Sequence, residues 1–153
     1  MTGPPGGYAG KALIVDVTGP DATVLPLDDA VLRAYLGGVG LGAWLLHRLA
    51  PPHVDPCSAQ APLVFVFSPL VGTPLTTSAK FAVVAKSPLT DRIGDALSSD
   101  RFAIELKKAG MDALVLVGRA EHPVAVVVDD GAVRIEDARA LWGLPAKDAE
   151  AAL

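Results

Sequence analysis

The stretch Lys11 to Val17, K-A-L-I-V-D-V, is apolar and β-branched. Ala22 to Leu27 alternates after a break at Thr18-Gly19-Pro20-Asp21, so the pattern predicts strand, turn, strand. Asp28 is placed to cap a helix running to about Leu36, because Val31, Leu32 and Tyr35 fall at helical spacing before Gly37-Gly38. A second helix, about Leu41 to Leu49, carries Trp44, Leu45, Leu46 and Leu49 and ends ahead of Pro51-Pro52. Leu63 to Ser68 and Phe81 to Ala85 are short, strongly apolar runs that predict buried strands, with a hydroxyl-rich loop, Pro69 to Ala79, between them. Phe102, Ala103, Leu106 and Ala109 lie opposite Glu105, Lys107 and Lys108, the pattern of an amphipathic helix with a solvated charged face, and Gly110 stops it. Strands follow at Ala113 to Val117, Val124 to Val128 and Val133 to Ile135, the last two joined through the hairpin turn Asp129-Asp130-Gly131. Asp137 to Trp142 predicts a short helical turn, and Pro145 to Leu153 opens a helix. Strands cluster in runs and few crossovers are helical, so the fold class is α+β: a mixed or antiparallel sheet with a few packed helices.

Length and composition narrow the class. The chain has 153 residues, 51% apolar and 20% charged, which fits one globular domain or part of a larger one and excludes a disordered acidic tail. Met1 to Gly10 contains four Gly and two Pro and reads as a flexible lead-in (residues 1–10), leaving 11–153 as the packed domain. The formal charge is −4 with neither sign gathered into a block, so no nucleic-acid partner is expected. The longest apolar runs, Leu63 to Phe67 and Val124 to Val128, fall far short of the roughly 20 residues that cross a bilayer. No membrane partner and no signal peptide are expected. Cys57 is the single cysteine; it can neither staple the fold nor alone ligate a metal, and a reducing cytoplasm is the expected compartment.

Local chemistry is sparse. Gly38, Gly40 and Ala43 match a dinucleotide fingerprint in spacing, but they follow a helix where the fingerprint must follow a strand; a glycine-rich helix–helix corner is the reading. His47, His53 and His122 are scattered without metal-ligand spacing. Ser68, Thr73, Thr76, Thr77, Ser78, Ser98 and Ser99 offer hydroxyls but no nucleophile elbow, and Asp129-Asp130 belongs to its turn. The loop Pro69 to Ala79 holds small hydroxyls ahead of Lys80, a combination that can cradle an anion or nucleotide, or be a solvated loop and lysine.

In segment order the chain resembles the N-terminal domain of the tungsten-dependent aldehyde:ferredoxin oxidoreductase family. The resemblance rests on Gly37-Gly38-Val39-Gly40-Leu41, on Ser68-Pro69-Leu70-Val71-Gly72-Thr73, and on Val83-Val84-Ala85-Lys86-Ser87-Pro88-Leu89-Thr90. It continues through Glu105-Leu106-Lys107-Lys108-Ala109-Gly110-Met111-Asp112-Ala113, Gly118-Arg119-Ala120-Glu121-His122-Pro123-Val124 and Leu141-Trp142-Gly143. The resemblance implies an α+β platform under a tungsten (or molybdenum) bis-pyranopterin with magnesium, beside an iron–sulfur cluster held by other domains. The chemistry implied is aldehyde oxidation with electrons passed to ferredoxin, carried by metal and cluster. It also implies that this chain is the first half of a duplicated domain, incomplete and not catalytic alone.

Position by position, the resemblance puts Lys80 where the family has an arginine on the pterin and Leu97 where it has an asparagine whose carbonyl helps hold the magnesium. Phe81 and Ser98 join them as expected cofactor-binding residues; none is expected to be catalytic or to ligate a metal. Lys80 keeps the charge but loses the planar fork. Ser99 and Asp100 replace a glycine pair, setting a carboxylate near expected phosphates, while Val39 replaces a basic residue and Ser78-Ala79 two glycines. Two outcomes stay open: a divergent member that grips its cofactor differently, or a half-domain that has lost the cofactor and persists as a self-associating interaction module. The expected partners are separately encoded remaining domains or a second copy of the chain, with ferredoxin reached indirectly.

Overall fold

The computed structural model describes residues 6–19, 21–129 and 131–152. Residues 1–5 of the expected lead-in, Pro20 of the first break, Asp130 of the hairpin turn and Leu153 lie outside them. In chain order the elements are β1 (Lys11–Asp16), β2 (Asp21–Pro26), α1 (Asp29–Tyr35), α2 (Gly38–Leu49), β3 (Leu63–Phe67), β4 (Lys80–Lys86) and β5 (Ile93–Ser99). There follow α3 (Arg101–Lys108), β6 (Ala113–Val117), β7 (Val124–Asp129), β8 (Ala132–Asp137), a 3-10 turn at Arg139–Leu141, and α4 (Ala146–Ala152).

Six strands form one mixed sheet in the order β2-β1-β6-β3-β4-β5, and β7 pairs with β8 in a separate hairpin. Only β1 and β6 run parallel; the other neighbours are antiparallel. The expected α+β class with a mixed sheet is what the chain adopts. Side chains alternate across a strand, so Ala12, Val64, Val66, Ala82, Val84, Ala113 and Val115 share one side, covered by Leu32 of α1 and by Leu41, Leu45 and Leu46 of α2. The other side presents Leu13, Val15, Phe67 and Leu114 to Ala103 and Leu106 of α3 and to Val126, Val128, Val133 and Ile135 of the hairpin. β1, β6 and β3 are covered on both sides, which is why they read as unbroken apolar runs.

Three features depart from the sequence reading. First, the expected glycine corner is the start of a helix: α2 begins at Gly38, so Gly38, Gly40 and Gly42 occupy its first turns. Gly42 is there for close approach, since a Cβ at that position would stand 2.6 Å from Val84 Cγ2 and 3.3 Å from Val66 Cγ2. Second, β5 was not expected at all. Its sequence, I-G-D-A-L-S-S, lies at the sheet edge and is mostly exposed, so nothing demands apolar alternation and pairing with β4 alone defines it. Third, the lead-in is tied down from Gly7: Lys107 Nζ donates to the Gly7 carbonyl at 2.7 Å, and the Ala9 and Gly10 amides donate to the Asp112 carboxylate at 3.0 and 2.6 Å.

Caps divide the helices. Asp28 stands at the N-cap of α1, yet its side chain accepts no capping hydrogen bond. Asp100, at the N-cap of α3, accepts from the Arg101 amide.

Candidate functional site

Register brings the expected site residues to one end of one strand pair. Lys80 opens β4 and pairs with Ser99, Phe81 pairs with Ser98, and Ala82 with Leu97. Residues directly opposite on antiparallel strands share a face, so Lys80, Leu97 and Ser99 lie on the α2 side and Phe81 and Ser98 on the α3 side. The four expected residues, Lys80, Phe81, Leu97 and Ser98, therefore meet along the strands but divide between two faces. Lys80 Nζ donates to Ser99 Oγ at 3.3 Å, which steers the ammonium along the strand end. Phe81 is enclosed by its own kind. Its ring centroid lies 6.4 Å from Phe65, 6.4 Å from Phe67 and 5.3 Å from Phe102, and these are all four phenylalanines of the chain.

The backbone phase of β5 follows from its two ends. The Asp100 amide donates to the Ala79 carbonyl at 3.2 Å and the Ser87 amide to the Arg92 carbonyl at 2.8 Å, so the pairs Ala79/Asp100 and Ser87/Arg92 are hydrogen-bonded ones. Hydrogen-bonded and non-bonded pairs alternate, which makes Phe81/Ser98, Val83/Ala96 and Ala85/Gly94 the bonded pairs between them. The amides and carbonyls of Ile93, Asp95, Leu97 and Ser99 accordingly point away from β4, out of the open sheet edge. Leu97 thus offers a free main-chain carbonyl beside a side chain that is 71% exposed.

Two hydroxyls at the start of the segment before Lys80 are used on its own backbone. Ser68 Oγ accepts from the Leu70 amide at 3.1 Å, and Thr73 Oγ1 donates to the Leu70 carbonyl at 2.7 Å. Its first residues are seated between glycines, because a Cβ on Gly7 would lie 2.6 Å from the Pro69 carbonyl oxygen and one on Gly37 2.9 Å from that of Phe67. Asp100, whose carboxylate was expected to repel phosphates, is turned onto the α3 N-terminus, where the helix dipole favours negative charge.

The best-built polar cluster was not anticipated. Asp112 is 1% exposed, accepts from the Ala9, Gly10 and Lys11 amides, and forms an ion pair with Lys107. The Lys107 side chain is itself only 10% exposed and lies 5.7 Å over the Tyr8 ring, so it does not belong to the solvated face on which the helix pattern put it. Burial raises the Tyr8 hydroxyl above its usual pKa, helped by the Asp112 charge and opposed by Arg33. A buried acid between the stop at Gly110 and the first residue of a central strand was the available signal.

The remaining candidates are dispersed. His47 and His53 border a cavity with Lys86, Asp91 and Arg92, while His122 lies in a cleft with Arg139 and Trp142. Asp91 titrates below the usual carboxylate range because Lys86 hydrogen-bonds and neutralises it. Cys57 is exposed, and among the described residues no group of three or more His, Cys, Asp or Glu side chains is placed to hold a metal ion. No helix among them is long and apolar enough to cross a membrane.

Comparison with known proteins adds the following. A family described as aldehyde ferredoxin oxidoreductase, N-terminal domain, matches residues 12–153. The tungsten-containing aldehyde ferredoxin oxidoreductase of Pyrococcus abyssi (strain GE5 / Orsay) is 38% identical over 96% of this chain and 24% of its own length. An aliphatic sulfonate oxidoreductase, WOR-like subunit, of Pyrococcus furiosus is 32% identical over 90% of the chain and 22% of its own length. Among solved structures, the active site complex BamBC of benzoyl coenzyme A reductase with 1,5-dienoyl-CoA superposes with a TM-score of 0.89 at 31% identity, covering 95% of this chain and 22% of that one. The chain spans about a quarter of the length of the curated relatives it matches.

Proposed function

The chain belongs to the aldehyde ferredoxin oxidoreductase N-terminal domain family, and from that premise we propose that it is the first half of a cofactor platform, inactive alone, in a larger oxidoreductase. Its cofactor face is the open end of the β4–β5 pair. Lys80 offers a positive charge, steadied by Ser99, to an anionic group of a pterin, and the Leu97 carbonyl offers a hard oxygen to a magnesium ion. The two residues are two positions apart along the strands, about 7 Å between their backbones, with the Lys80 side chain on the α2 face and the Leu97 carbonyl leaving the adjacent edge. When bound, a tungsten or molybdenum bis-pyranopterin would supply oxidation of an aldehyde to an acid, with electrons leaving through an iron–sulfur cluster in other domains toward ferredoxin. Phe81 and Ser98 act from the opposite face: Phe81 anchors β4 in the aromatic cluster, and the hydrogen-bonded Phe81/Ser98 pair fixes which way Leu97 turns. The Asp100 carboxylate is engaged by the Arg101 amide at the α3 N-terminus, which reduces its opposition to an anionic ligand.

The outward carbonyl of Leu97 beside Lys80 carries this reading, because a side-chain change from the family's asparagine leaves a main-chain ligand intact. A reducing cytoplasm, suited to the unpaired Cys57, is part of the same proposal. The test is elemental analysis of the chain co-purified with the remaining domains. Tungsten or molybdenum is expected with the wild-type chain, lowered roughly tenfold in Lys80→Ala and restored in Lys80→Arg. Metal absent throughout, or unaffected by Lys80→Ala, refutes it.

One observation favours a second reading as a self-associating module. The β5 edge exposes unpaired backbone next to Ile93 (51% exposed) and Leu97, which suits pairing with another copy. Light scattering on the isolated chain would then show a dimer that Leu97→Lys dissociates; a monomer at all concentrations removes this reading.

A further inference from the structure

At the other end of β4 from Lys80, roughly 20 Å away along the strand, a cavity of about 430 Å³ opens between the C-terminal end of α2, the segment after it and the β4–β5 turn. That volume lies in the range of small-molecule sites. Its floor is apolar: Leu46 is 8% and Val54 7% exposed, and Ile93 forms one side. Its walls are fixed to each other by one residue. Lys86 Nζ donates to the Val54 carbonyl at 2.8 Å and pairs with Asp91 at 2.6 Å, bolting the segment after α2 to the turn. The turn is closed in its own right, since the Asp91 amide donates to the Ser87 carbonyl at 2.9 Å and the Ser87 amide to the Arg92 carbonyl at 2.8 Å.

The rim carries one carboxylate, Asp91, against Lys86 and Arg92. Asp91 is already neutralised by Lys86, which leaves Arg92, His47 and His53 as polar groups at the cavity without a bonded side-chain partner among the described residues. The backbone is held in an unusual state at the same place. His53 (φ 56°) and Asp91 (φ 55°) are two of the four described non-glycine residues with left-handed backbone, and such residues gather where a ligand is clamped. An apolar floor favours an occupant with an apolar body over a bare inorganic anion, and an unpaired guanidinium on a rigid turn is suited to a bidentate carboxylate.

We propose that this cavity binds a small monocarboxylate with an apolar body, the ring or chain lying on Leu46 and Val54 and the carboxylate on Arg92. The site is separate from the proposed cofactor face and stands whether or not that face carries a cofactor. The test is amide NMR of the ¹⁵N-labelled 153-residue chain titrated with cyclohexanecarboxylate and, in parallel, with its neutral isostere cyclohexanecarboxamide. The acid is expected to saturate shifts confined to residues 43–54 and 86–93, to bind roughly tenfold more tightly than the amide, and to lose about that factor in Arg92→Gln, whose exposed side chain leaves the fold intact. The amide's affinity should not change in Arg92→Gln. Absence of saturable shifts, equal affinity for acid and amide, or indifference of the acid to Arg92→Gln each overturns the proposal.

Discussion

Replacing Asp112 with Asn tests whether the buried ion pair holds the start of the chain to the sheet. In the wild-type protein the carboxylate is 1% exposed, accepts from the Ala9, Gly10 and Lys11 amides, and neutralises Lys107. Asn keeps the shape but sets an NH2 group against these donors and leaves the buried ammonium without a countercharge, held only by the Gly7 carbonyl and the Tyr8 ring. Breaking a buried pair by removing one partner costs about 3–5 kcal/mol, more than any one of the three amide hydrogen bonds contributes. For a domain of this size that lowers Tm by roughly 6–20 °C. Lys107→Met should cost less, about 1–3 kcal/mol, because the carboxylate keeps its amide donors. Urea unfolding of both single variants and the double variant gives the coupling, expected above about 1.5 kcal/mol. A loss below about 1 kcal/mol in Asp112→Asn, or additive single effects, would refute the argument and mean that the lead-in is held by packing.

Two further outcomes follow from the same structure. Gly42→Val pushes a branched side chain against Val84 and Val66, and the overpacking should cost about 2–3 kcal/mol by chemical denaturation; an unchanged midpoint would show that α2 does not sit as close to the sheet as the 2.6 Å approach requires. Asp137 is held at a pKa of about 2 by hydrogen bonds from the Arg139 side chain and backbone. Its folded pKa is depressed, so its contribution to stability is complete above the ordinary carboxylate pKa and disappears as pH falls toward 2. A carboxyl NMR titration should show that midpoint and its return toward the ordinary value in Arg139→Gln.

Legibility in the sequence followed burial. The strands β1, β3, β6 and β7 each carry an unbroken apolar run because both sides, or one side and a hairpin partner, are covered. β5 carries no such signal, since an edge strand with six exposed residues answers to its backbone partner and not to a core. Gly42, at the end of the glycine-rich stretch, shows why a helix start reads as a corner: flexibility and close packing ask for the same residue, and only the position of Val84 distinguishes them. Lys107 was misplaced because helical spacing separates faces without saying what covers them; here Tyr8 and the lead-in cover the charged one. The resemblance assigned Lys80 and Leu97 to one cofactor face with no strand recognised at Leu97, whereas their strand pairing and the outward carbonyl needed the register.

That register is the most exposed part of the functional argument, and hydrogen exchange reads it directly. If Ala79/Asp100 and Ser87/Arg92 are hydrogen-bonded pairs, the amides of Ala96 and Ser98 are inside the ladder and those of Asp95 and Leu97 face solvent. Exchange in the isolated chain should therefore alternate along β5, slow at 96 and 98 and fast at 95 and 97. A one-residue slip would reverse the alternation and turn the Leu97 carbonyl into the sheet, removing the main-chain ligand on which the cofactor reading depends. Protection of both sets in the isolated chain would instead mean that another strand already occupies the edge, the signature of self-pairing. Fast exchange at 95 and 97 in the isolated chain, becoming slow at 97 when the remaining domains are added, is the result that joins the register to the platform.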